Sequence, residues 1–180
     1  MSDIRAQDPE QEALLEAVAR GDSAGLERLY TEYGDTVYGI AFRLTESAAD
    51  AKDILHDVFV ALPEALNSFD ALGSFEGWLK RVAARTSLMK MRGRRRRREI
   101  SLGGLAGSLR RFDRADPIDH LELERAIADL PEPLRAVFVL REIEGFSHDE
   151  IAELLNIRRG TSEVRLYRAR RALRTRLAGR

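Results

Sequence analysis

The chain has 180 residues, 30 basic and 30 acidic, with 44% hydrophobic and 33% charged content. That is enough for one large or two small domains and suits a soluble helical protein. Cysteine is absent, which excludes a disulfide framework, a thiolate zinc site and a cysteine nucleophile. No apolar run approaches the roughly 20 residues that span a bilayer, and the acidic start MSDIRAQDPEQEALLEA lacks the apolar stretch of a signal peptide. Neither membrane insertion nor export is expected, and the chain is expected to be cytoplasmic.

The net charge of zero hides alternating blocks. Residues 1–70 hold 15 acidic and 5 basic residues, and residues 71–98 hold 1 and 10. Residues 99–130 hold 7 and 4, residues 131–157 hold 6 and 2, and residues 158–180 hold 1 and 9. Each basic block suits phosphate, whereas the acidic surfaces suit a basic protein partner.

In chain order, Glu12 to Arg20 reads as a first helix, with Leu14, Leu15 and Val18 at helical spacing and a stop at Gly21-Asp22. Ser23 is placed to cap a second helix, whose apolar stripe runs through Leu26, Leu29, Tyr30, Tyr33, Val37, Ile40, Ala41 and Leu44. Thr45 is expected to open a third helix. There Asp50, Asp53, His56 and Asp57 lie on or near one face, with Ile54, Leu55, Val58, Phe59 and Leu62 on the other. Carboxylates beside a histidine raise the question of a metal. Such sites normally draw ligands from several elements, and no second carboxylate helix with a matched motif follows, so no metal is expected. Pro63 should kink or end this helix.

Residues 67–74, Asn-Ser-Phe-Asp-Ala-Leu-Gly-Ser, are a loop by composition. Ser74 is placed to cap a fourth helix carrying Phe75, Trp78, Leu79, Val82, Ala83 and Leu88, with Trp78 expected in the core. Its polar positions are Lys80, Arg81, Arg85 and Lys90, and it leads into Arg92 and an unbroken run from Arg94 to Arg98. An aromatic loop beside a cationic helix suits the capture of unstacked bases along a charged track. Residues 99–118, with three glycines and Pro117, read as a flexible linker. A helix from Asp119 carries Leu121, Leu123, Ile127 and Leu130. After Pro131 and Pro133, a short apolar helix runs through Val137 and Leu140 to Gly145.

Ser147 to Leu177 reads as a helix-turn-helix. Ser147 and Glu150 form a capping box, followed by Ile151, Leu154 and Leu155 at helical spacing. Residues 156–160 interrupt the pattern, with Gly160 supplying the turn, and Thr161 is placed to cap the second helix. Leu166, Ala169, Leu173 and Leu177 give that helix an inner face, and Arg165, Arg168, Arg170, Arg171 and Arg174 crowd the remainder. A cationic second helix of this kind enters the major groove of DNA. The fold class is therefore all-α: two small helical domains, residues 10–98 and 119–180, joined by the linker 99–118, with the helix-turn-helix in the second.

Two stretches resemble one family. LPEPLRAVFVLREIEGFSHDEIAELLNIRRGT, residues 130–161, resembles the C-terminal promoter-reading domain of bacterial sigma factors. DAKDILHDVF, residues 50–59, and the segment from Ser74 to Arg98 resemble their core-polymerase-binding and −10-reading helices. The layout is similar to the extracytoplasmic-function (ECF) group of the sigma-70 family. The resemblance implies a factor with no catalytic residues and no cofactor. It would bind core RNA polymerase, recognise duplex −35 and melted −10 DNA, and answer to an anti-sigma factor. Asp50, Asp53, His56, Asp57 and Phe59 would form the polymerase interface. Asn67, Ser68, Phe69, Lys80, Arg81, Arg85, Lys90 and Arg92 would hold the −10 strand. Arg158, Arg159, Thr161, Ser162, Glu163, Arg165 and Arg168 would meet the −35 element.

The sequence also departs from the family pattern. His56 stands where glutamine is usual, Pro63 where tryptophan is, and Arg85 and Met89 where asparagine and aspartate are. Ser162-Glu163-Val164 replaces a usual Val-Lys-Ser. Two other classes fit the sequence less well. A helix-turn-helix regulator with an N-terminal dimerisation or ligand domain has no need of a basic helix followed by six arginines within seven residues. A nuclease using Asp53, His56 and Asp57 lacks further ligands.

Overall fold

The computed structural model describes residues 9–69, 73–101 and 118–178, and every element among them is helical. The chain divides into two compact units, Met1–Ser87 and Leu88–Arg180. The division falls inside one helix. Residues 99–101 are the end of that helix and Ile118 begins the next one, while residues 102–117, the bulk of the predicted linker, lie outside the described residues.

In the first unit, α1 (Pro9–Ala19), α2 (Ser23–Thr45) and α3 (Ala48–Ala65) pack around Val18, Leu29, Val37, Ile40, Leu44, Ile54, Val58 and Leu62. The cap of α2 is Asp22, not Ser23: its carboxylate accepts from the N–H groups of Ala24 and Gly25, each at 3.2 Å. A carboxylate there also complements the positive helix end. Gly25 lets α1 and α2 approach closely, since a Cβ at this position would lie 2.9 Å from Val18 Cγ2 and 3.1 Å from Leu14 Cδ1.

Thr45 closes α2 instead of opening α3. Its hydroxyl donates back to the Ala41 carbonyl at 2.7 Å, Glu46 turns left-handed (φ 51°), and Ser47 caps α3 by accepting from Asp50 N–H at 3.2 Å. Pro63 does not end α3, which runs two residues further and tightens into a 3-10 turn at Leu66–Ser68. The proline lies in the last turn, where its missing N–H leaves only one helical bond unmade. Helix α4 (Phe75–Ser101) then begins with Ser74 Oγ accepting from Gly77 N–H at 3.1 Å, as expected from the sequence.

The second unit contains α5 (Ile118–Ala128), α6 (Glu132–Phe138), α7 (His148–Leu155) and α8 (Arg159–Ala178). Helix α6 continues through a wider π turn, Val139–Ile143, and stops at Gly145, whose φ of 80° suits glycine. Buried Arg135 fixes the corner between α5 and α6 by donating to the carbonyls of Ala128 (3.0 Å) and Leu130 (3.1 Å). Val137, Leu140, Ile151, Leu166, Ala169 and Leu173 form the core beneath α8.

Candidate nucleic-acid and polymerase interfaces

The helix-turn-helix is set by local chemistry at each end of α7. Ser147 Oγ accepts from Glu150 N–H at 3.2 Å, and the Glu150 carboxylate accepts from Ser147 N–H at 2.8 Å, completing the capping box. At the other end Asn156 turns left-handed (φ 53°), and its N–H bonds back to α7. Asparagine tolerates this conformation better than most residues. The turn therefore rests on Asn156, not on Gly160. Helix α8 starts at Arg159, so Gly160 and Thr161 lie in its first turn and Thr161 is not the cap.

Ser162 is 0% exposed. It belongs to the inner stripe with Leu166, Ala169 and Leu173, and its hydroxyl lies 2.9 Å from Nδ1 of half-buried His148. Ser162 thus joins α8 to the start of α7 and has no surface with which to touch DNA. A buried hydroxyl needs such a partner, because leaving it unpaired costs about 1–3 kcal/mol.

The arginines of α8 fall into two groups. Arg159 donates to both Asp149 and Glu163 at 3.0 Å. The hydrogen bond to Glu163, with the nearby charges of Asp149 and Glu163, holds its guanidinium more firmly protonated than usual. Arg170 pairs with Glu142 at 2.8 Å, and Arg176 pairs with Asp129. In contrast, Arg158, Arg165, Arg168, Arg171 and Arg174 make no side-chain hydrogen bond or ion pair with the described residues. Of these, Arg168 and Arg171 share a stripe with Val164 and Tyr167 at spacings of three and four, directly opposite the inner face. Val164 is 50% exposed and Tyr167 64%. Sequence reasoning missed both. The signal was available, because neither fits the inner stripe 162-166-169-173.

Along α3, Asp53, His56 and Asp57 are exposed on one face and Asp50 is half-buried near the cap. Val60, 64% exposed, extends that face by one turn. Phe59 does not belong to it: the ring is 4% exposed and packs edge-on against Tyr30 at 5.0 Å between centroids. It supports the face from within and cannot present itself to a partner. No group of three His, Asp or Glu that could hold a metal ion occurs among the described residues.

Beside α4, four aromatic rings form one cluster. Phe69 lies 5.3 Å from Trp78 and 6.0 Å from Phe75, and Tyr33 lies 5.2 Å from Phe75. Burial, followed by the neighbouring Glu32, pushes the Tyr33 hydroxyl up to about 12. Phe75 is buried, but Trp78 and Phe69 are only half-buried, so Trp78 is a rim residue rather than the predicted core residue. Asn67 and Ser68 are exposed beside them, and residues 70–72 lie outside the described residues. Lys80 pairs with Glu76 at 2.8 Å, Arg81 and Arg85 are exposed, and Lys90 is half-buried. Arg92 donates to the Leu154 carbonyl at 2.8 Å, at the C-terminal end of α7.

Comparison with known proteins agrees with this arrangement. Residues 29–97 match the family Sigma-70 region 2, and residues 120–173 match Sigma-70, region 4. The chain is 33% identical over 172 residues to the ECF RNA polymerase sigma factor SigE of Mycolicibacterium smegmatis, covering 89% of this chain and 65% of that protein. It is 31% identical to the RNA polymerase sigma-H factor of Pseudomonas aeruginosa (91% and 92% covered). It is 33% identical to the ECF RNA polymerase sigma-E factor of Haemophilus influenzae (88% and 90% covered). The fold is shared with the sigma factor RpoE of Bartonella quintana, solved with the anti-sigma factor NepR, at a TM-score of 0.66 and 22% identity over 84% of this chain and 96% of that one. It is also shared with CnrH in complex with the cytosolic domain of CnrY, at a TM-score of 0.58 and 25% identity over 93% and 96%. The chain belongs to the extracytoplasmic-function group of the sigma-70 family, the promoter-recognising factors of bacterial RNA polymerase.

Proposed function

We propose a division of labour among the surfaces of this sigma factor. The exposed acidic face of α3, Asp53, His56 and Asp57 with Asp50 at its start, docks on a basic surface of core RNA polymerase. The loop ending at Phe69, with the rim of Trp78 and the cations of α4, holds an extruded base of the opened −10 element. Half-buried rings are suited to this, since a base that stacks on them covers apolar surface already in place. Helix α8 reads the −35 duplex. The chain acts by positioning and opening the promoter, with no catalysis of its own, in the cytoplasm where polymerase and promoter meet.

The observation that carries this reading is the alternation of charge along matched regions. An acidic helix and an aromatic-edged basic helix lie in region 2, and an arginine-faced helix lies in region 4. Run-off transcription with core polymerase tests it: adding the chain should create defined start sites on promoters that core enzyme alone leaves silent. Variants Asp53→Arg/Asp57→Arg and Phe69→Ala should separate loss of assembly from loss of opening.

We also propose an anti-sigma factor as a partner. The shared fold of a sigma factor solved with an anti-sigma factor supports this. Its simplest mode of action is to cover the α3 face that core polymerase would use, so the two should compete in a pull-down.

A further inference from the structure

We propose that Val164 and Tyr167 are specificity-determining residues of α8 and that each reads the methyl group of a thymine in the −35 duplex. The inference rests on the reading of α8 as the −35 helix and assigns it a base chemistry. In the major groove, thymine alone among the four bases presents an apolar group, its C5 methyl. Valine has no donor or acceptor, so a methyl is the only base feature it can recognise there. Val164 and Tyr167 are half or more exposed on a helix whose other outward side chains are mainly charged, and both lie outside the inner stripe that packs beneath α8. Neither is among the buried core residues described for the second unit.

Their neighbours favour DNA as the occupant. On the same stripe stands Gly160, and nothing lies within 4 Å of where its Cβ would be, so the first turn of the helix is slim. Beyond it, Arg168 and Arg171 carry charges without a partner among the described residues, and Arg174 follows one turn later. A stripe that is slim and apolar at its start and cationic further along matches a groove with methyl groups in its floor and phosphates along its rim. An acidic protein surface would meet the arginines but would offer the valine nothing.

The test uses holoenzyme assembled from the full chain and core polymerase. Promoter duplexes randomised over the −35 element are selected for binding, and each thymine of the winning sequence is then replaced by deoxyuridine, which removes only the methyl. At one or two positions the replacement should weaken binding about 3- to 5-fold, the effect of one buried methyl group. Val164→Ala should abolish the thymine–uracil difference at one of these positions, and Tyr167→Ala at a position beside it. Tyr167→Phe should retain the difference, because the ring and not the hydroxyl makes the contact. Both side chains are exposed, so the variants keep the fold. A winning sequence indifferent to uracil overturns the proposal, as does a thymine–uracil difference that survives both alanine variants. If a −35 preference is present without any methyl effect, only this inference falls. If holoenzyme forms but selects no −35 sequence, the reading of α8 falls with it.

Discussion

Helices α3 and α8 are built on opposite plans. Each presents an exposed charged face with an apolar side chain in it, Val60 on α3 and Val164 with Tyr167 on α8. The buried side of α3 is wholly apolar: Ala51, Ile54, Val58, Phe59 and Leu62. That of α8 includes Ser162, tied to His148 at the start of α7. An apolar underside fixes a helix by shape and volume, whereas a buried hydrogen bond also fixes its orientation about its axis. Such a device suits a helix that must register with base pairs. A docking face that meets a broad basic surface does not need it. The charges differ too. Acidic neighbours tie down Arg159, Arg170 and Arg176, leaving Arg158, Arg165, Arg168, Arg171 and Arg174 as a smaller cationic set than the sequence suggests.

The largest expected effects are on α3, and they separate its two sides. Phe59→Ala should cost about 3–5 kcal/mol of stability, as for other buried aromatic truncations, and chemical denaturation would measure it. Asp53→Arg/Asp57→Arg should leave stability within about 0.5 kcal/mol of the parent yet weaken core polymerase binding by several kcal/mol, because like charges are then juxtaposed at the interface. A fluorescence titration with core enzyme reads the second quantity. Unchanged affinity in the double variant would remove this face from the polymerase interface.

The Ser162–His148 pair tests the other plan. Ser162→Ala leaves the imidazole nitrogen without its partner, and a loss of about 1–2 kcal/mol is expected. His148→Ala should cost a similar amount, and the double variant less than the sum of the two, since the pair is lost only once. Additive losses in the denaturation cycle would show that the two residues are not coupled.

These residues also show what could be read from the sequence. The capping box Ser147–Glu150 and the cap at Ser74 were legible because their partners lie three residues away. The inner stripe of α8 was legible from Leu166 onward. The family resemblance places Ser162 among the −35 contacts, whereas the spacing of the stripe places it beneath the helix. Its position four residues before Leu166 was the better guide. Periodicity places Phe59 on the apolar side of α3, where the structure has it against Tyr30; only the family resemblance places it in the polymerase face. In the turn, both Asn156 and Gly160 can adopt the left-handed conformation, and sequence alone favoured the glycine. The pairings of Arg159 with Asp149 and of Arg170 with Glu142 arise from tertiary packing, so the free arginines could not be told from the bound ones.

That distinction yields a graded expectation for DNA binding. Arg174→Ala removes a free charge near phosphate, so affinity should fall alike on all duplexes and the salt slope should drop by about one unit. Arg170→Ala removes a charge already balanced by Glu142 and should change the slope less. Equal slopes for the two variants, measured by titration at several salt concentrations, would show that these ion pairs do not persist on DNA.

The smallest effect is expected at Glu163. Its carboxylate accepts from Arg159 at 3.0 Å, and both side chains are exposed. Exposed pairs of this kind contribute little, because water and salt screen them, so Glu163→Gln should barely alter the stability of the fold. The carboxylate matters for binding instead. While it holds Arg159, it masks one cation at the first turn of α8 and repels phosphate nearby. Glu163→Gln removes the repulsion and leaves Arg159 held only by Asp149. General affinity for duplex DNA should therefore rise a few-fold, with a steeper salt slope. If Glu163 served as a direct acceptor for cytosine N4, the same substitution would lower affinity for the preferred −35 sequence while leaving others unchanged. The two outcomes have opposite signs on the preferred duplex. One titration series against the selected sequence and a scrambled one thus decides whether Glu163 masks Arg159 or reads a base.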